Sequence, residues 1–101
     1  MSDDRSAVDE LLRVSKAGAL HTVLHYLYLP SKSAAVQVAV RLRAEGFTTE
    51  ERRGADGVNW LVLAKHQAVP SESVMAATRQ FMERLTAPLN GEYDGWEAEV
   101  V

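Results

Sequence analysis

The segment from Leu20 to Leu29 decides the fold, and its sequence is Leu-His-Thr-Val-Leu-His-Tyr-Leu-Tyr-Leu. β-Branched and aromatic residues of this kind are typical of β-strands. Pro30 follows directly and ends the pattern. Apolar side chains stand at both odd and even positions, so neither face of the strand is polar. The segment is therefore predicted to be a central strand of a sheet.

Helices and strands are predicted on both sides of this segment. Residues 4–17 place apolar side chains on one helical face, and Asp3 or Asp4 can cap that helix. Glycine and proline delimit the later elements. These are, in chain order, a helix over 31–45, a polar edge strand over 47–53, a turn over 54–57, a strand over 58–65, a helix from 70 to about 87, and a strand over 92–101.

The order of these elements predicts the architecture. After the first helix it is strand, helix, strand, strand, helix, strand, which favours a ferredoxin-like α+β sandwich with the βαββαβ order and an extra N-terminal helix. The first and third strands, which are the most apolar, are expected in the centre. The N-terminal helix is assigned to residues 1–18 and the α+β domain to 19–101, within a single domain overall.

The composition describes an ordinary globular chain. It has 101 residues, 25% charged residues and a formal net charge of −3, so no global positive field attracts nucleic acid. The absence of cysteine excludes disulfides and thiolate metal sites. The polar N-terminus lacks the apolar core of a signal peptide, and no apolar run has the ~20 residues that span a bilayer. We expect a cytoplasmic protein with no membrane contact.

One sheet face needs a cover that the two crossover helices do not supply. Those helices cover one face in this architecture, yet both faces of the predicted strands are apolar. The apolar stripe of the N-terminal helix is one candidate cover. A partner is the other, either a second copy in a homodimer or another protein, since uncovered apolar patches mark interaction sites. The sequence favours neither candidate.

No group of residues forms a recognisable catalytic or metal site. His21 and His25 would lie about 13 Å apart on a strand, too far to share an ion. Ser31 and Ser33 precede a helix and are better explained by capping than by nucleophilic chemistry or anion binding. Asp94 and Glu97 are expected to be exposed side chains of the last strand rather than a general acid or base. The sequence thus predicts no enzyme, no metal and no cofactor.

Three aromatic residues allow an alternative function. RNA-recognition modules share this element order and stack bases on aromatics of their central strands. Tyr26, Tyr28 and Trp60 would form such a surface, for RNA or a small ligand, if they shared the open face. The acidic net charge and the third strand, which lacks the basic and glycine-containing signature of those modules, disfavour direct nucleic-acid binding.

The C-terminal run Gly91-Glu92-Tyr93-Asp94-Gly95-Trp96-Glu97 is unusual for the end of a small domain. Its glycines permit backbone angles or close approaches that a Cβ would forbid. The segments Ala19–Leu27, Leu42–Phe47 and Glu92–Trp96 occur together in this order in a known family. From about Ser6 to Val101, the chain resembles the regulator of ribonuclease activity B family, whose members are protein inhibitors of ribonuclease E.

The resemblance implies a fold and a function. Family members are small ferredoxin-like α+β proteins that bind a large endoribonuclease and alter which transcripts it cleaves, without catalysis or cofactor. It implies that Tyr93, Asp94, Gly95 and Trp96 form the defining site, with Tyr93 and Trp96 fixing the last strand to its neighbours. Tyr26 and Tyr28 of the first strand are the other expected partner-binding residues.

Overall fold

The protein is described by a computed structural model that covers residues 4–101. It contains three helices, a four-stranded sheet and a short 3-10 turn, Ala87–Leu89, before the last strand. The elements are α1 (Asp4–Val14), β1 (His21–Leu29), α2 (Lys32–Ala44), β2 (Thr48–Arg53), β3 (Trp60–Ala68), α3 (Glu72–Thr86) and β4 (Glu92–Ala98).

The sheet is antiparallel, with the strand order β2-β3-β1-β4. The predicted central position of the first and third strands is confirmed. β1 pairs with β3 along its whole length, from His21 opposite Ala68 to Leu29 opposite Trp60. The α+β class is therefore confirmed, and β1 is the strand on which the other elements are arranged.

Several predicted element ends differ from the structure, and the strand predicted over 58–65 covers Trp60–Ala68 instead. α1 ends at Val14 rather than at residue 17, and β4 ends at Ala98 rather than at residue 101. β3 begins at Trp60 because Asp56 holds the two residues before it in a turn. Its Oδ1 accepts hydrogen bonds from the backbone N–H groups of Val58 (2.8 Å) and Asn59 (2.9 Å). Of the two proposed caps of α1, Asp3 lies outside the described residues and Asp4 is the first residue of the helix.

All three helices pack on one face of the sheet. Side chains of α2 and α3 enclose the larger core together with alternate residues of β1 and β3. The fully buried members of this core are Leu27, Leu29, Ala35, Val38, Ala39, Leu42, Val62, Ala64 and Met82. Since these strand residues alternate with half-buried ones, a single face of the sheet is covered.

The N-terminal helix packs beside α3 on this same face. Val8 of α1 is buried against Val23 of β1 and Met75 of α3, and Leu12 borders the same cluster. Asp4 of α1 also forms an ion pair with Arg79 of α3. The expectation that this helix could cover the second sheet face is therefore wrong. Its apolar stripe and its buried carboxylate both have partners on the helical side.

β4 contains a bulge that gives the C-terminal run its function in the fold. Tyr93 lies opposite Leu27 and Trp96 opposite His25, so Asp94 and Gly95 together oppose one residue of β1. Without the extra residue, side chains three positions apart would point to opposite faces. The bulge instead turns Tyr93 and Trp96 to the helical face. Gly95 has φ 106° there, a conformation that favours glycine.

At Gly91, just before β4, the backbone passes close to the end of β1 and the end of α3. A Cβ at this position would lie 2.8 Å from the backbone oxygen of Tyr28 and 3.3 Å from Cβ of Thr86, and it would overlap Cδ1 of Leu29. Because the backbone oxygen and the buried leucine have little room to move, we expect Gly91→Ala to lower the free energy of unfolding by about 2 kcal/mol. Urea unfolding followed by tryptophan fluorescence measures this loss.

A double-mutant cycle tests the cause of the loss at Gly91. Leu29→Val removes the δ-carbons that the new methyl group would overlap. Gly91→Ala should therefore cost less in the Leu29→Val background than in the native one. Equal costs in the two backgrounds would contradict a steric origin in the Leu29 side chain.

Candidate protein-binding surface

The sheet face opposite the helices is called here the open face. It consists of the outward side chains of the two central strands with those of the flanking strands. The central members are Thr22, Leu24, Tyr26 and Tyr28 of β1 and Leu61, Leu63, Lys65 and Gln67 of β3. The described helices all pack on the other face, so within residues 4–101 no helix covers this surface.

The centre of the open face is an apolar strip. Tyr26 lies opposite Leu63, and Tyr28 lies opposite Leu61. Leu61 is buried between its neighbours, whereas Leu24, Leu63 and both tyrosines remain half-buried. Three shallow depressions of about 310, 390 and 400 Å³ lie along the strip. The surface is thus partly apolar and contoured rather than a flat polar sheet.

The charges that border the strip differ on its two sides. Along β4 the exposed side chains are acidic: Glu92, Asp94 and Glu97, followed by Glu99. On the β2 side Glu50 forms an ion pair of 3.4 Å with Arg52, and Lys65 is also exposed. The open face therefore carries excess negative charge, and that charge is concentrated beside β4.

Both tyrosines predicted for partner binding lie on the open face. Tyr26 donates a hydrogen bond to the Glu97 carboxylate. This bond raises the pKa of the Tyr26 phenol, because the phenolate would repel the carboxylate. The bond fixes the ring of Tyr26 next to the acidic side of the strip, while Tyr28 lies at the end near Glu92.

Trp60 does not share this face, which corrects the aromatic surface proposed for RNA or a small ligand. It pairs with Leu29 and packs against the helical core. Its ring lies 5.7 Å from the Lys32 ammonium and 5.9 Å from the Arg53 guanidinium. The register of β1 and β3 places Trp60 and the two tyrosines on opposite sides of the sheet. A three-ring stacking surface is therefore excluded.

The four residues of the C-terminal motif separate into two roles. Asp94 is exposed beside the open face, and Gly95 forms the bulge. Tyr93 is 7% exposed and lies in the helical core, and Trp96 borders the smaller cluster there. Two of the predicted partner-binding residues, Tyr93 and Trp96, are thus turned away from Tyr26 and Tyr28.

An ion pair between a buried carboxylate and a partly exposed guanidinium joins α1 to α3, and a hydrogen bond to the same carboxylate adds β4. Arg79 donates two hydrogen bonds to the Asp4 carboxylate, from Nε at 2.9 Å and from Nη2 at 3.0 Å. Trp96 donates a third from Nε1 at 3.1 Å. Asp4 is 3% exposed, so its charge needs these donors. Hydrogen bonding to Asp4 raises the pKa of Arg79.

Next to this pair, a hydrogen-bonded chain runs through the core. Tyr93 Oη lies 2.8 Å from Nδ1 of His25, whose Nε2 lies 2.9 Å from Nε2 of His66. The Arg79 guanidinium is 4.9 Å from the centre of the Tyr93 ring. Phe47 stacks on His66 with ring centres 4.3 Å apart. The chain connects β4, β1 and β3 under the helices.

Burial sets the protonation of this chain. It lowers the pKa of His25 to about 3, with the charges of His66 and Arg79 acting in the same direction. Burial also lowers the pKa of His66 and raises that of Tyr93. Both histidines are therefore neutral near pH 7. Because each neutral ring has one N–H, the two hydrogen bonds can both run from Tyr93 toward His66 or both run from His66 toward Tyr93. The neutral rings and the Tyr93 hydroxyl thus form a hydrogen-bonded structural network under the helices.

Two further polar candidates, His21 and Ser31, have structural partners. His21 is buried and bonds the Ala19 carbonyl oxygen (2.8 Å) and the Ser15 hydroxyl (2.7 Å). The Ser31 hydroxyl accepts a hydrogen bond of 3.1 Å from the backbone N–H of Ala34, which confirms its predicted capping role. Among the described residues no group of three potential ligands could hold a metal ion. Nor does any described helix have the length and apolarity to cross a membrane.

The fold and the site together define a small α+β protein with one helix-covered sheet face and one open, acid-bordered face. The family model described as Regulator of ribonuclease activity B matches residues 3–98, nearly the whole chain. The chain belongs to this family, and the resemblance found in the sequence is confirmed. Among individually curated proteins, none matches the chain.

Proposed function

We propose that the protein is a non-enzymatic, cytoplasmic regulator that binds an endoribonuclease such as ribonuclease E and thereby modulates RNA degradation. The observation that carries this proposal is the match of residues 3–98 to a family of ribonuclease regulators. The strand order β2-β3-β1-β4 supports the ferredoxin-like arrangement implied by the sequence. The titratable groups within the core are engaged in structural bonds, which supports a binding role.

The open face is the surface that best suits this role. It presents half-buried apolar side chains that a partner could cover, with exposed charges around them. Covering that surface would let the protein occlude or reorient the nuclease, so that access of RNA to the nuclease changes. RNA itself is a poorer ligand here, because Trp60 lies on the other face and the β4 side is acidic.

A cleavage assay with the purified 101-residue protein tests the proposal. A ribonuclease E-type endonuclease and a labelled transcript are incubated with increasing amounts of the protein. We expect slower or redistributed cleavage at micromolar concentration, and co-elution of the two proteins in size-exclusion chromatography. Unchanged cleavage together with separate elution at that concentration would reject this target.

A control reaction separates nuclease binding from RNA binding. The same transcript is digested by an unrelated small ribonuclease in the presence of the protein. If the protein acts on the endonuclease, this second digestion proceeds at its normal rate. Slowing of both reactions, with a salt-dependent gel shift of the RNA, would instead favour RNA binding.

A further inference from the structure

We infer that the open face receives a single amphipathic helix of the partner, with basic side chains directed toward β4. This inference rests on the proposed function for the identity of the partner. It adds the surface of contact and the chemistry of the segment that binds. The apolar side of that helix would cover the strip formed by Leu24, Tyr26, Tyr28, Leu61 and Leu63.

The width of the strip matches one helix. The strip belongs to β1 and β3, the two central strands of the sheet. Neighbouring strands lie about 4.8 Å apart, so two strands present a surface roughly 10 Å across. A helix with its side chains is about 10 Å in diameter. One helix laid along the central strands would therefore cover the apolar side chains and leave the flanking charges at its sides.

The charges that border the strip determine which charged side chains the bound helix should carry on each of its two sides. After Arg84 the chain has no lysine or arginine, whereas Glu92, Asp94, Glu97 and Glu99 follow one another along the β4 side. Lysine or arginine on the adjacent side of the bound helix would compensate this row. On the β2 side Arg52 is already paired with Glu50, which leaves Lys65 as the uncompensated positive charge, so this side does not attract further basic residues. The charge difference across the strip thus fixes the orientation of the helix about its own axis.

The same charges argue against two other occupants. In a homodimer joined through this face, even a two-fold arrangement that sets the β4 side of one copy against the β2 side of the other leaves the acidic row mostly unpaired. The β2 side offers only Lys65, since Arg52 is already paired with Glu50. An RNA strand would bring its phosphates next to the acidic side chains of β4. A basic amphipathic protein segment is the occupant for which both the apolar strip and its border are complementary.

Matched charge variants test the surface. Glu92→Gln with Asp94→Asn removes two exposed charges beside the strip, and Glu45→Gln with Glu83→Gln removes two exposed charges from the helical side. At low salt we expect the first pair to weaken binding of the endonuclease about tenfold and the second pair to change it little. Leu63→Ser, which removes half-buried apolar surface, should weaken binding at low and high salt alike.

A synthetic probe tests the chemistry of the segment. Its sequence is an 18-residue helix with leucine along one face and arginine along one side, and glutamate replaces arginine in the control peptide. Fluorescence anisotropy should show that the arginine peptide binds and that the glutamate peptide does not. Binding of the arginine peptide should be lost in Leu63→Ser and weakened in Glu92→Gln with Asp94→Asn. The arginine peptide should also compete with the endonuclease. Each variant is first checked for native circular dichroism and unfolding temperature.

The outcomes separate this inference from the proposed function. Binding of the endonuclease that is unaffected by the open-face variants would overturn the inference and leave the function intact. If the protein fails to bind the endonuclease but binds the arginine peptide specifically, the proposed function is overturned. The inferred preference of the open face for a basic amphipathic helix then still stands. A homodimer that Leu63→Ser dissociates, or RNA binding that it abolishes, would also overturn the inference.

Discussion

Acidification from pH 7 to pH 4 should destabilise the protein through His25. Its pKa is about 3 in the folded chain and 6.5 in an exposed histidine. Between those values the unfolded chain binds a proton that the folded chain does not, so stability is complete above about pH 6.5 and falls as the pH decreases toward 3. Since one pKa unit corresponds to about 1.4 kcal/mol, the His25 contribution to the loss is about 3 kcal/mol at pH 4. Urea unfolding at a series of pH values measures it.

Two variants assign this pH dependence to its source. His25→Gln removes the titrating group, so the free energy of unfolding should change much less between pH 7 and pH 5, where most carboxylates remain ionised. His66→Asn is the comparison variant: burial, the largest cause, still lowers the pKa of His25 there, so the pH dependence should persist. It should be diminished, because the lowered pKa of His66 acts in the same direction. A native-like slope in His25→Gln would show that another group carries the effect.

The elements were predictable because their signals are local. The apolar pattern of 20–29, the capping Ser31 and the proline and glycine stops define each helix and strand within a few residues of their ends. The bulge also has a local signal, although its meaning was missed. Two large aromatics three positions apart around Gly95 could both face the core only if β4 gained an extra residue.

The face of the sheet on which a side chain lies depends on pairing between strands that are far apart in the sequence. The sequence allows Trp60 to share a face with Tyr26 and Tyr28, yet the register that pairs Trp60 with Leu29 turns it to the helical side. A helix and a strand separate β1 from β3, so no short-range pattern specifies that register. For the same reason the sequence left open which surface the N-terminal helix would cover.

The buried polar network was likewise beyond local sequence patterns. Asp4 and Arg79 are separated by 75 positions, and His25 and Tyr93 by 68. Each of these residues alone resembles an ordinary surface or strand residue. Only the packing of α1 and α3 over the strands brings them together and makes their charges and ring nitrogens depend on one another. The two aromatic residues of the C-terminal motif, Tyr93 and Trp96, therefore belong to the core, and each contributes a hydrogen bond to this network.

Replacing Arg79 with methionine should cause the second large loss of stability. Methionine keeps much of the apolar length of the side chain but removes both hydrogen bonds to Asp4 and the positive charge beside it. A carboxylate that is 3% exposed then loses the guanidinium that donates two hydrogen bonds to it. Removing one partner of a buried ion pair typically costs about 3–5 kcal/mol, and we expect about 3 kcal/mol here since Arg79 remains partly exposed. Urea unfolding gives the value.

Hydrogen exchange and two control variants locate the cause of that loss. Because Asp4 begins α1, the amides of α1 should exchange faster in Arg79→Met, while those of β1 and β3 keep their relative order of protection. Arg79→Lys retains the charge without the two-pronged geometry and should lose less stability. Arg84→Met, an exposed change on the same helix, should shift it by less than about 0.5 kcal/mol. Equal stability of Arg79→Met and Arg84→Met would mean that the ion pair does not hold α1 against α3.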